Sequence, residues 1–122
     1  MVEDFVIEAN ERLDRVADLA LTAEEGDGDS WAALQREIHT LKGAAGFLGL
    51  DQFSELCHGL EEFLLRTRPG DRRASDGFDV VHDACNLLRE LVDAVERCAE
   101  DGGHLPREPR VVEIADRLKV PA

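Results

Sequence analysis

The sequence predicts an all-α fold: an antiparallel up-down four-helix bundle with a shorter fifth helix at the C-terminal end. Three observations carry this. Apolar residues recur every three or four positions through five segments, the period of a helix face. No run alternates with period two, and aromatics are only 5% with no Tyr, which disfavours a β-sandwich. Turn-forming clusters of Gly, Pro and acidic residues separate the segments into lengths suited to packed neighbours.

The first helix is expected over 2–22, with Phe5, Ala9, Leu13, Val16 and Ala20 on one face. Glu3 and Asp4 suit the positive end of its dipole. Glu24–Ser30 (EEGDGDS) reads as a polar loop, with Asp29 or Ser30 able to cap the next helix. That second helix is expected over 30–48, with Trp31, Leu34, Ile38, Leu41, Ala45 and Leu48 inward and Gly49 as its stop. The third spans 51–67 and aligns Phe53, Leu56, Cys57, Leu60, Phe63 and Leu64.

Arg68–Gly77 (RPGDRRASDG) reads as a second linker. The fourth helix comes next, over 76–99, with Phe78, Val81, Cys85, Leu88, Leu91, Val92, Val95 and Cys98 inward. Asp101–Glu108 is a third linker. Pro109 opens a last helix over 109–119 carrying Val112, Ala115 and Leu118, and Pro121 ends it. At 122 residues the chain makes one domain, 1–122, with no internal repeat.

Charge narrows the function. The chain has 27 acidic and 14 basic residues, a net charge of −13. That excludes nucleic-acid binding through clustered cations and docking on an anionic membrane. No apolar run is long enough to span a bilayer, and Glu3 and Asp4 stand where a secretion signal needs positive charge, so a cytoplasmic location is expected. Cys57, Cys85 and Cys98 are odd in number and form no Cys-x-x-Cys pair; they read as small buried hydrophobes. There is neither a Gly-x-Gly-x-x-Gly loop nor a Walker sequence, so no nucleotide site is expected in this chain.

Ile38–Leu50 (IHTLKGAAGFLGL) stands apart. In a chain that is 34% charged it holds one formal charge, Lys42. It also places Gly43 and Gly46 within a helix, at a cost of about 1 kcal/mol each against Ala. His39, Lys42, Gly43 and Gly46 share a face distinct from the inward one. Bare backbone there either lets another protein approach the histidine or lets a neighbouring helix pack tightly; spacing leaves both open. The next helix carries His58 and Glu61 one turn apart. His39 lies eleven residues before Leu50 and Glu61 eleven after it, so an antiparallel hairpin sets them side by side. Glu61 is then either a solvated acid or the acceptor for imidazole Nδ1–H, which would leave Nε2 as the free lone pair.

His39-Thr-Leu-Lys42-Gly43-Ala-Ala-Gly46-Phe-Leu-Gly49 resembles the histidine phosphotransfer (HPt) signature, H-x-x-K-G-x-x-G-x-x-G. Cys57-His58-Gly-Leu-Glu61 is similar to the second-helix pattern H-x-x-E of the N-terminal P1 domain of CheA-type chemotaxis kinases, which has five helices. The likeness runs over essentially the whole chain. It implies that His39 is phosphorylated at Nε2, that Lys42 helps neutralise the phosphoryl group, and that Glu61 orients Nδ1. It also implies that His58 joins the same polar network and that Gly43 and Gly46 clear space for docking partners. Those partners would be a histidine kinase catalytic domain and a CheY-like response-regulator receiver. ATP and Mg²⁺ would belong to the kinase and Mg²⁺ to the receiver, with no cofactor on this chain. The isolated domain would be a monomeric carrier that cannot phosphorylate itself from ATP. Ala44 departs from the family's common Gly at that position, a small change.

Three alternatives stand beside this reading. One is a free-standing phosphorelay protein instead of a fragment cut from a longer kinase; the third linker and fifth helix favour the fragment. Another is an interaction bundle with the fold but not the chemistry. The last is a metal site, for which only His58–Glu61 and His82–Cys85 offer partial ligand pairs while His104 is isolated.

Overall fold

The computed structural model describes residues 2–101 and 107–119, with side chains for all of these except 72–76 and 99–101. The expectations for His104, for Pro121 and for part of the third linker lie outside the described residues.

Five helices form: α1 (Val2–Glu24), α2 (Gly28–Phe47), α3 (Asp51–Arg66), α4 (Arg72–Asp101) and α5 (Pro109–Arg117). No strand occurs among the described residues. Packing runs in a ring, with α1 against α2 and α4, α2 against α3, and α3 against α4. The fifth helix lies on the outside, against α3 and α4.

The expected inward faces of α1 and α3 are buried in full, as are those of α2 and α4 apart from Leu48 and Cys98, which are half-buried near the helix ends. Each fully buried Leu or Phe contributes roughly 1.5–3 kcal/mol of transfer free energy. Phe63 and Phe78 meet edge-on with centroids 6.0 Å apart, and Trp31 lies 5.7 Å from Phe78. Polar clamps set the register between helices. Trp31 Nε1 and Gln35 Nε2 of α2 donate to the Leu64 carbonyl of α3, at 3.1 and 3.3 Å. Glu37 of α2 takes Arg12 and Arg15 of α1, while Arg89 and His82 of α4 reach Asp14 and Glu24 of α1.

The turn between α2 and α3 matters most for the site. Gly49 adopts φ +72°, a conformation costly for any residue with a Cβ. Leu50 N–H then reaches back to the Ala45 carbonyl at 2.9 Å and Gly49 N–H to Gly46 at 3.1 Å, a Schellman closure. This short hairpin aligns the two helices rung by rung.

Three boundary expectations and one buried face are corrected. The cap of α2 is Asp27, not Asp29 or Ser30: its carboxylate accepts from Asp29 N–H at 3.3 Å and from the Ser30 hydroxyl at 2.7 Å. The Ser30 hydrogen bond, outweighing what burial does, holds the Asp27 carboxyl below its usual range. The second linker shrinks to residues 67–71, because α4 begins at Arg72 and takes Gly77 into its interior. Gly77 lies against the ring of Phe63, in space that a side chain would need. The first helix runs to Glu24, two residues past the expected end. On α5 the buried residues are Val111 and Ile114, joined by Leu118 just past its end, while Val112 is exposed and Ala115 half-buried. Two stripes were available in that short segment. Contact with α3 and α4 selects the one carrying the larger Ile114.

Candidate functional site

His39 sits midway along α2 with its side chain 72% exposed. Its Nδ1 lies 2.7 Å from Glu61 Oε2, across the hairpin on α3. Lys42, one turn further along α2, donates from Nζ to Glu61 Oε1 at 2.6 Å. One carboxylate therefore holds both side chains, one on each oxygen. The equal distances of His39 and Glu61 from Leu50 are realised as direct contact.

Glu61 is largely buried, with 16% of its side chain exposed. Burial pushes its carboxyl up, but the hydrogen bonds from Lys42 and His39 and their charges outweigh it, and the group is held below its usual range. An ionised Glu61 can only accept. Nδ1 must then be the protonated nitrogen of a neutral His39, and Nε2 carries the free lone pair, pointing away from Glu61.

The two glycines resolve the question that spacing left open. A Cβ on Gly43 would meet nothing within 4 Å, and one on Gly46 only the Ser54 hydroxyl at 4.0 Å. Neither is there for tight helix packing, and both are exposed. With Phe47, which is 80% exposed, they make a low, uncharged surface beside His39.

The site is thus an exposed histidine held through Nδ1 beside a bare helix face. The Hpt domain family profile matches residues 1–98. The chain belongs to the Hpt domain family. The sensor histidine kinase CheAY of Helicobacter pylori is 35% identical over 106 residues, which covers 83% of this chain and 13% of that protein. A chemotaxis protein CheA of Halobacterium salinarum is 29% identical over 102 residues, covering 82% and 14%. A gliding motility regulatory protein of Myxococcus xanthus is 34% identical over 82 residues, covering 66% and 11%. The chain thus spans a small part of the length of these relatives. Family membership supports a phosphotransfer-carrier role in two-component signalling, in which Hpt domains meet kinase and response-regulator domains.

This Hpt domain departs from the expected site at His58. That side chain is exposed and lines a groove between α3 and α5 with Gly59, Glu62, Val112 and Ala115. It makes no hydrogen bond to His39, Lys42 or Glu61. One helical turn separates His58 from Glu61, so the sequence pattern groups them; the docking of α5 on α3 gives His58 a different neighbourhood. His82 and Cys85 do not form a ligand pair either: His82 Nε2 is 3.0 Å from Glu24, and Cys85 is buried. Burial pushes the Cys85 thiol up to about 11 and raises Cys57 further still, so neither is a ready nucleophile. Among the described residues no cluster of three or more His, Cys, Asp or Glu could hold a metal, and no helix is long and apolar enough to cross a membrane.

Spacing alone does not reach the other side of His39. A shallow groove of about 590 Å³ opens there, lined by Gln35, Arg36, Thr40 and Leu65 together with His39 and Glu61. Leu65 is 64% exposed. Arg36, one turn before His39, was available as a signal but carries no part of the quoted motif.

Proposed function

We propose that this Hpt domain carries a phosphoryl group on His39 Nε2, between an ATP-bound histidine kinase domain and an aspartate of a CheY-like receiver. The single observation that carries the reading is the exposed imidazole held through Nδ1 by Glu61 at 2.7 Å. In the loading step the Nε2 lone pair attacks the γ-phosphorus in line, the bond to the bridging oxygen breaks, and ADP leaves with that electron pair. The ring gains positive charge as the Nε2–P bond forms, and the Glu61 carboxylate offsets it. Lys42 keeps Glu61 ionised and adds positive potential beside the phosphoryl group.

In the second step a receiver carboxylate oxygen attacks phosphorus. The P–N bond breaks and its electrons return to Nε2, which restores the neutral ring. Gly43, Gly46 and Phe47 let each partner approach without desolvating charge. ATP and Mg²⁺ are supplied by the kinase and Mg²⁺ by the receiver; this chain supplies the nucleophile and its orientation. It works as a cytoplasmic monomeric unit, as the phospho-accepting part of a CheA-type kinase.

The test is labelling with ATP by a CheA-type kinase core that lacks its own phosphotransfer domain. An acid-labile, base-stable phosphate is expected on the wild type and absent from His39→Gln. Unaltered labelling of that variant overturns the assignment. A chain that binds a receiver but never takes phosphate is an interaction module instead.

A further inference from the structure

We infer that Arg36 is a second phosphoryl-binding residue, a guanidinium that receives the oxygens of the group on His39 Nε2; the inference rests on the carrier reading above.

The first ground is charge balance. Lys42 is the cation the family motif provides, but its ammonium is already offset by Glu61 at 2.6 Å. A phosphoryl group on Nε2 brings close to two negative charges, while the ring's gained charge and the Lys42–Glu61 pair together supply one positive charge. About one negative charge is left over, and a cation outside that set would offset it.

The second ground is position. Nδ1 faces Glu61, so Nε2 lies on the far side of the ring. Helical side chains lean toward the helix N-terminus, which sets the His39 ring over the turn that carries Arg36. The groove beside His39 is lined by Arg36 and not by Lys42. Among the described residues, the charged groups lining it are Arg36 from α2 and Glu61 from α3.

The third ground is availability. In this acidic chain most described cations are engaged: Arg12 and Arg15 by Glu37, Arg89 by Asp14, Arg110 by Glu90 and Arg117 by Asp83. Arg36 is exposed and forms no ion pair among the described residues, although its chain neighbour Glu37 holds two arginines. A planar guanidinium can meet two phosphoryl oxygens at once, which an ammonium does less specifically.

The test uses the intact chain and phosphoramidate, a small donor that needs no partner protein. Its P–N bond breaks, ammonia leaves, and a new bond to Nε2 forms. ³¹P NMR tracks both the rate of loading and the pH at which the bound phosphoryl group titrates. One full charge about 6 Å away in water corresponds to roughly a threefold effect. Arg36→Gln should therefore load about threefold more slowly and titrate at higher pH, because the nearby cation favours the dianion. Arg36→Lys should retain most of both effects. Arg97→Gln, which removes another exposed cation with no ion pair among the described residues, on α4, should change neither.

Wild-type behaviour of Arg36→Gln overturns the inference and leaves the carrier reading standing. An equal change in Arg97→Gln also overturns it, since net charge alone would then be responsible. If phosphate never appears at His39 in the wild type, with His39→Gln as reference, both fall together.

Discussion

Replacing Glu61 by Gln probes the centre of the site with almost no change in shape. The native carboxylate accepts from His39 Nδ1–H at 2.7 Å and from Lys42 Nζ at 2.6 Å, using both oxygens. A carboxamide has one acceptor oxygen and one NH₂ donor. It can satisfy one of the two donors, and its NH₂ then faces the other. Hydrogen bonds to charged groups contribute about 1.5–3 kcal/mol when desolvated. Here Lys42 and His39 have side chains 26% and 72% exposed, so water replaces part of what is lost. A stability loss of about 1 kcal/mol is expected in urea unfolding. The larger effect is on chemistry, because Nδ1–H is no longer held and the ring populates the tautomer with a protonated, non-nucleophilic Nε2. Loading at His39 should slow by about 10–100-fold, equivalent to about 1.4–2.8 kcal/mol of barrier. Phosphoramidate loading reads the rate, and ¹⁵N NMR of the imidazole reads the tautomer. Wild-type loading together with an unchanged Nδ1–H tautomer would refute the orienting role.

The pH dependence comes from the same carboxylate. The Glu61 carboxyl is held below its ordinary value of 4.5 in the folded chain, so it stabilises the fold above that pH and the contribution fades as pH falls through and below it. The stability gap between wild type and Glu61→Gln should accordingly close as pH falls from about 5 through and below that ordinary value; a gap that widens there contradicts the assignment. Gly43→Ala should raise stability by about 1 kcal/mol in thermal melts, because the new Cβ meets nothing and helix propensity improves. Gly43→Leu should fold equally well and accept phosphate from phosphoramidate, yet lose labelling by a kinase core. Gly77→Ala should do the reverse of Gly43→Ala. Its Cβ would meet the buried Phe63 ring, with Cζ at 2.6 Å, so overpacking of about 1–3 kcal/mol outweighs the propensity gain of about 1 kcal/mol. A melt that rises shows that Phe63 yields more easily than its contact with Phe78 implies.

Much of the bundle is legible in residue spacing, since a helix that buries one face must repeat apolar residues at that period. The inward faces of α1 to α4 follow from the spacing for this reason, apart from Leu48 and Cys98 near the helix ends. Ends are less legible. Asp27, Asp29 and Ser30 are all competent caps, and only the position of Thr22, whose hydroxyl reaches Ser30 at 2.6 Å, favours the network built on Asp27. Gly77 looks like a linker residue in isolation and becomes a helix residue because Phe63 occupies the space beside it. Val112 and Ala115 are as apolar as a core stripe requires, but α5 is too short for its period to choose a face by itself.

The same division runs through the site. Residue order is enough to say which groups are present: a histidine, a lysine and two glycines on one helical face, and a carboxylate at matched distance beyond Gly49. Helical geometry and a hairpin of fixed length suffice for that, because both are local. Packing between helices settles the rest: Glu61 serves His39 and Lys42 together, His58 belongs to the α3–α5 groove, and Gly43 and Gly46 open to solvent and not to a packed helix. Those outcomes depend on which faces meet when α3 docks against α2 and α5 against α3. That docking is set by the sum of the buried contacts across the bundle and is encoded in no single segment.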